Sequence, residues 1–302
     1  MNGVLKLLRS RFEEPSTPMQ DTNLMIRTLL GSTPLVLDSP HSGTQYPADF
    51  GHACDPLVLR RAEDTHVDKL FSFAPALGAA WVEALFPRSY LDTNRGLTEV
   101  DRHLLDAEWP GVIDPPGANA KVRLGKGLIW RLTDDGEPIY GRLLSVEEVR
   151  HRIDTCWIPY HDALANAISN ARATHGFCIH VNCHSMPAVA SSHATEYPGL
   201  AHADFVIGDR DGTTASPVLS DLVCQHLRGL GFTVSYNHPY KGVEIVKRHG
   251  KPTEHCHSVQ LEINRKLYMD EGSLEIKPEF SALQTSLHSL VEMLSSIDIP
   301  HS

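Results

Sequence analysis

The sequence has no long apolar run, no basic block and no closely spaced cysteine pair. No stretch of its 302 residues approaches the ~20 apolar residues of a membrane-spanning helix, so a membrane partner is not expected. Lys and Arg total 27 against 37 Asp and Glu, a formal net charge of −10. On that acidic background nucleic acid and anionic lipid are poor partners. The six cysteines, Cys54, Cys156, Cys178, Cys183, Cys224 and Cys256, never fall in a Cys-x-x-Cys spacing. That removes a zinc ribbon and a thioredoxin-type motif. Several sit in apolar patterns, where a thiol behaves as a small hydrophobe, and we expect reduced thiols in a cytoplasmic protein. Residues 1–12 are weakly basic and amphipathic, but Glu13 and Glu14 follow with no small-residue cleavage site. We expect a loosely docked N-terminal arm over 1–20 and not a signal peptide. Repeats, low-complexity segments and linkers are also missing. One domain over 1–302, with its core near 32–298, is the economical reading.

What is present is a 41% hydrophobic chain in which strand and helix signals alternate. Phe177 to Met186 reads as a short buried strand, set off by Gly176 and Pro187. Pro34–Leu37, Ala80–Phe86, Ala203–Ile207, Phe232–Tyr236 and Val259–Ile263 are further strand candidates. Helical spacing runs over Asp55–Phe71. Ser145-Val146-Glu147-Glu148 has the capping-box pattern and opens a long helix to about Thr174. Ser216-Pro217 starts another, ended by Gly229 and Gly231, and Pro278–Ile297 closes the chain as an amphipathic helix. Residues 105–135 break the pattern with Trp109-Pro110-Gly111 and Asp114-Pro115-Pro116-Gly117, the mark of a lid or binding loop. The spacing predicts a single-domain α/β/α sandwich with a mixed, mostly parallel sheet.

Open α/β sheets put their chemistry at the carboxyl ends of the strands. His41, His184 and Glu262 each close an apolar strand, so the sheet brings them to one rim. Catalytic zinc takes three protein ligands, His or carboxylate, and leaves a position for water. His41 and His184 offer two nitrogens, and Glu63 or Asp64, on the helical segment after the His41 loop, offers a carboxylate. Taken singly, each histidine also fits a structural role. Glu262 lies among Val259, Leu261 and Ile263, where a carboxylate is costly unless paired. It is either the partner of a core cation such as Arg265 or a general base beside a metal. Arg95, after a strand, either captures a substrate carboxylate or pairs with Asp92 or Asp101.

Five segments occur in order: Ser39-Pro40-His41-Ser42-Gly43, Glu63-Asp64-Thr65-His66-Val67-Asp68, Asp92-Thr93-Asn94-Arg95, Asn182-Cys183-His184-Ser185-Met186 and Gln260-Leu261-Glu262-Ile263-Asn264-Arg265. Together they resemble the N-formylglutamate amidohydrolase family, over about residues 32–295. The resemblance implies a zinc carboxypeptidase-like fold and one zinc ion. By motif it makes His41 and His184 zinc ligands with Asp64 as the third and Glu63 in reserve. It makes Glu262 the catalytic glutamate and Asn94 and Arg95 the carboxylate-binding pair. One departure stands out. The wider carboxypeptidase pattern has a glutamate ligand three residues after the first histidine, and here that position is Thr44.

The implied reaction is hydrolysis of N-formyl-L-glutamate to formate and L-glutamate. Another N-acyl amino acid, or a short peptide with a free carboxylate, is the alternative. A non-enzymatic binder of an acidic metabolite is a third reading, opposed by the intact set of His41, His184 and Glu262. The substrate's two carboxylates call for two cations. Arg95 is the first candidate, and Arg123, Arg131 and Lys241 compete for the second role.

Overall fold

A computed structural model describes residues 25–115, 118–191 and 197–297. Its seven strands are β1 (Ile26–Leu29), β2 (Leu35–Ser39), β3 (Ala80–Ala84), β4 (Cys178–Met186), β5 (Phe205–Gly208), β6 (Val234–Tyr236) and β7 (Cys256–Asn264). They form one sheet in the order β1-β3-β2-β4-β7-β5-β6. β3, β2, β4 and β7 run parallel, β1 is antiparallel to β3, and β5 is antiparallel to β7. This is the mixed, mostly parallel sheet the spacing predicts. β1 escaped the sequence reading because Ile26-Arg27-Thr28-Leu29 is an edge strand with its last three residues exposed.

The helices are α1 (Pro56–Arg61), α2 (Val67–Leu70), α3 (Ala120–Arg123), α4 (Val146–Arg152), α5 (Ile158–His175), α6 (Pro217–Gly229), α7 (Glu244–His249) and α8 (Phe280–Ser296). Among the described residues no helix is long and apolar enough to cross a membrane. The capping box forms as expected, with Ser145 Oγ accepting from Glu148 N–H and the Glu148 carboxylate accepting from Ser145 N–H. α4 and α5 are joined by a π-helical turn, Ile153–Trp157, and Gly176 ends α5 at φ 83°. The π turn is where Trp157 Nε1 donates to the Arg95 carbonyl at 2.9 Å. Such turns favour function over regularity. The helix expected over Asp55–Phe71 is a correction: it breaks after Arg61, and Ala62–His66 is a turn with His66 at φ 69°. Glu63 and Asp64 therefore lie between two helices and not on one.

Side chains alternate across each strand. On one face Ile179, Val181, Cys183, Val259, Leu261 and Ile263 pack against α6 and α8 through Leu219, Val223, Leu287 and Leu290. On the other face Val36, Cys178 and Cys256 pack against α5, against Leu128, Ile129 and Trp130 of the irregular segment, and against Ile139 and Tyr140 in the stretch that follows it. Arg152 ties that segment down from inside. It is buried, its guanidinium lies 4.1 Å from the Tyr90 ring centroid, and it donates to Tyr90 O, Tyr140 Oη and Phe50 O. The N-terminal arm expected over 1–20 lies outside the described residues.

Candidate metal centre and active site

β2 delivers His41 by running out at Ser39 into a loop pressed on the end of β3. A Cβ at Gly43 would sit 2.4 Å from Leu85 C, so only glycine allows that approach. The His41 carbonyl accepts the Asp64 N–H at 2.9 Å, which brings the broken helix onto the same rim. β4 delivers His184, in register with Glu262 of β7.

His41, Asp64 and His184 are all buried and offer ligand atoms within 4.8 Å of one another. Asp64 Oδ2 lies 2.9 Å from His184 Nδ1 and 3.3 Å from His41 Nδ1. Each ring is held from behind by its other nitrogen. His41 Nε2 meets Asp92 Oδ1 at 2.7 Å and His184 Nε2 meets Asn182 Oδ1 at 2.7 Å. The Asn182 amide nitrogen donates to both oxygens of Asp38, which turns its carbonyl towards His184. A carbonyl only accepts, so His184 Nε2 carries the proton and Nδ1 keeps its lone pair. Asn94 Nδ2 touches the same Nε2 at 3.2 Å while its Oδ1 accepts from Ile245 N–H. His41 Nδ1 is buried without a hydrogen bond among the described residues. An orphaned nitrogen beside a second imidazole and a carboxylate is the donor set of a catalytic zinc, and the rear partners are the kind that orient metal-bound histidines. The residues fit the metal.

The charges around this cluster are balanced closely. Arg265 Nη2 and Arg88 Nη1 lie 3.2 and 3.7 Å from Asp64 Oδ1. Against burial, the facing His184 and His41 rings and the Arg88 charge hold Asp64 well below the usual carboxylate range. Against burial, the charges of His41, Arg88 and Arg95 do the same for Asp92. Glu262 goes the other way. Burial pushes it up to about 7, with Asp64 adding to the rise and His184, Arg88 and Arg265 opposing it. Its Oε1 accepts from Gln260 Nε2 at 2.8 Å. A carboxylate poised near neutrality beside a cluster that could hold a metal ion suits proton transfer.

The other sequence candidates fall in different places. Glu63 is turned away from the cluster, accepting from Tyr46 Oη at 2.6 Å and from Arg60 Nε at 3.4 Å. Arg95 is buried, with Nε on the Lys126 carbonyl and Nη1 on the Asn94 carbonyl. Arg131 pairs with Asp101 at 2.7 Å, exposed Lys241 pairs with Asp211 at 2.8 Å, and Arg123 is exposed on α3. Arg265 is a core cation as the structural reading had it, but its contacts are Asp64, Ser185 and the Arg61 and Glu63 carbonyls.

Sequence reasoning missed Arg88, Asp92 as the His41 partner, and Asn182 with Asp38. It also missed Trp130, whose Nε1 donates to Asp92 Oδ2 and whose ring lies under the Arg88 guanidinium at 5.0 Å. The alternation of β4 was the available signal for Asn182. Nothing local marks Arg88.

The family model described as N-formylglutamate amidohydrolase matches residues 33–269. A solved structure of N-formylglutamate amidohydrolase from Ralstonia eutropha JMP134 is 45% identical with a TM-score of 0.84, over 89% of this chain and 96% of that one. N-formylglutamate deformylases of Pseudomonas aeruginosa and Pseudomonas putida are 28% and 29% identical, each over 80% of this chain and 84% of theirs. The rim that gathers His41, Asp64, His184 and Glu262 lies within the matched span, and the chain belongs to the N-formylglutamate amidohydrolase family.

Proposed function

We propose that this chain is a zinc-dependent hydrolase that cleaves N-formyl-L-glutamate to formate and L-glutamate. The observation that carries the reading is the convergence of two imidazole Nδ1 atoms on Asp64, with Glu262 across from His184. His41 Nδ1, His184 Nδ1 and Asp64 Oδ2 are the atoms that would hold the zinc. When bound there, zinc supplies Lewis-acid activation of water and polarisation of the formyl oxygen. The names of the relatives supply the substrate.

The chain's own groups then divide the work. Glu262 takes a proton from the attacking water as its oxygen adds to the formyl carbon. It returns that proton to the nitrogen as the C–N bond breaks. Gln260 fixes the carboxylate by one oxygen and leaves the other for the proton. Arg88, anchored on Asp92 and Asp64, sets positive charge beside the carbonyl as negative charge develops there. Asn94, fixed by the Ile245 N–H on its Oδ1, lies against the His184 ring, and Arg95 takes one substrate carboxylate, an orientation effect. All six cysteines are free thiols, which fits a reducing compartment, and we place the enzyme in the cytoplasm.

The test is formate release from N-formylglutamate before and after chelation, with metal analysis on the same sample. We expect one zinc per chain, loss of turnover on stripping and recovery with zinc. Full turnover in stripped protein overturns the metal. No formate from the zinc-loaded protein overturns the substrate.

A further inference from the structure

N-Formylglutamate carries two carboxylates and no compensating charge. One cation of this layer is already committed: Arg88 is held by Asp92 and Asp64. Arg95 has two of its nitrogens on carbonyls. A second cation is therefore needed for the carboxylate farther from the formyl group.

We propose that Lys126 recognises that distal carboxylate, and that Asp134 stands in its place when no substrate is bound. This rests on the substrate reading above and names the residue that makes the site select an acidic side chain. Lys126 Nζ lies 5.2 Å from the Trp130 ring centroid, the ring whose Nε1 is fixed on Asp92 and which also carries Arg88. The indole thus spans from the partner of His41 to the Lys126 ammonium. The backbone of Lys126 is pinned to the site as well, since its carbonyl accepts from Arg95 Nε at 3.1 Å.

Lys126 is paired with Asp134, and the Lys126 side chain is only 18% exposed against 47% for Asp134. Asp134 sits at a hairpin tip closed by Thr133 N–H to Glu137 O and by Gly136 at φ 85°. Residues 134–138 are all exposed, so the tip has little packing to hold it in one place. Against desolvation of the group, the charges of Lys126, Arg265 and Arg88 hold the Asp134 carboxyl below its ordinary value. Arg265 and Arg88 are the two cations on Asp64, so this protein carboxylate lies in the field of the metal site. A half-exposed ion pair contributes little and is easily exchanged for another carboxylate. Lys121 lies near the same cations. Its stem is exposed, yet desolvation of its ammonium and the charges of Arg95, Lys126 and Arg88 lower it to about 8. Arg131 and Lys241 are paired with other acids and are not needed for this role.

The test compares N-formylglutamate with its neutral isostere N-formylglutamine on the zinc-loaded enzyme, with melts on every variant. Wild type should prefer the acid. Lys126→Met should raise KM for N-formylglutamate about tenfold or more and collapse the preference in kcat/KM, while Lys126→Arg retains it. Asp134→Asn should lower KM for the acid by about threefold, because the internal competitor loses its charge. Preference intact in Lys126→Met overturns the inference alone. So does an Asp134→Asn variant that raises KM equally for both substrates, which would make Asp134 a structural latch. Wild type with no preference between the two overturns the substrate reading and the inference together.

Discussion

The two faces of β4 and β7 are equally buried and are held by different physics. Ile179, Val181 and Cys183 meet α6 and α8 through apolar contact alone. Across the same backbone His180, Asn182, His184, Ser258, Gln260 and Glu262 are just as inaccessible. Apolar packing is non-directional and tolerates exchange of similar volumes. Buried polar groups need partners at fixed angles, and an unmade bond costs more than a made one gives. The polar face therefore reads as a wired array. Asp38 accepts from His180 Nε2 and Asn182 Nδ2 and also from the Tyr160 hydroxyl, Asn182 holds His184, and His184 faces Asp64. A fold can afford one such face because the other supplies the stability.

The comparison breaks most sharply where one polar atom is removed. His184→Ala should leave the fold and abolish the metal, since two ligands cannot replace three. Metal analysis of the purified variant decides, and stoichiometric zinc with activity would return His184 to a structural role. Glu262→Gln keeps volume and the Gln260 contact but removes the basic oxygen. We expect zinc retained and kcat lowered roughly 10²–10⁴-fold. A zinc-loaded variant turning over at near wild-type kcat would remove Glu262 from the reaction.

On the apolar face the same experiment should give the opposite pattern. Leu287 of α8 is fully buried in the apolar cluster on the sheet face opposite His184. Leu287→Ala should cost about 2–5 kcal/mol of stability by cavity formation. The surviving folded protein should keep its zinc and its kcat. Denaturant melts beside kinetics would test this, and a loss of metal in this variant would mean the faces are not separable.

The pattern also explains what could be read from the chain. The apolar faces made every central strand legible, and caps at Ser145 and Ser216 gave the helices that flank them. His41, His184 and Glu262 were legible because each interrupts or ends an apolar run. The loop layer was not. Arg88 and Trp130 acquire meaning only through contacts across the irregular segment, and no period in the sequence encodes those. Asp55–Phe71 misled because its apolar spacing is helical on both sides of a turn, and the turn exists to bring Asp64 to His41. The alternation in Asn182-Cys183-His184 was visible but looked like a buried run, because its polar half faces protein and not water.

Asn182 allows a gentler version of the first experiment. It touches neither Asp64 nor the Nδ1 atom that His184 would offer a metal, yet it fixes which nitrogen of His184 is protonated. Asn182→Ala should weaken zinc about 10–100-fold in chelator competition. Asn182→Asp retains an acceptor and should recover part of that loss. Equal zinc affinity in wild type and Asn182→Ala would show that packing alone orients His184.

The smallest effect lies on the polar face away from the metal, at His161 and His249. His161 Nε2–H donates to the Thr93 carbonyl, so its Nδ1 is the acceptor that faces His249 Nε2 at 3.4 Å. A proton on that Nδ1 would confront the His249 N–H. Burial first, and then for His249 the neighbouring His180 and His161, lowers the pair to about 4 and about 3. Unfolded histidine titrates near 6.5. Between 6.5 and about 4 the unfolded chain binds more protons, so this pair's contribution is full above 6.5 and declines as pH falls through that window. Glu63 and Glu262, both raised to about 7, act with the opposite sign and gain stability as pH falls. A raw stability curve mixes the two, so the informative quantity is the difference between wild type and His249→Gln, which keeps a donor for His161. That difference should turn against wild type on acidification by at most about 1.4 kcal/mol per pH unit. Parallel curves would mean that His249 already accepts a proton in the folded state, and that burial on this face is less complete than the contacts require.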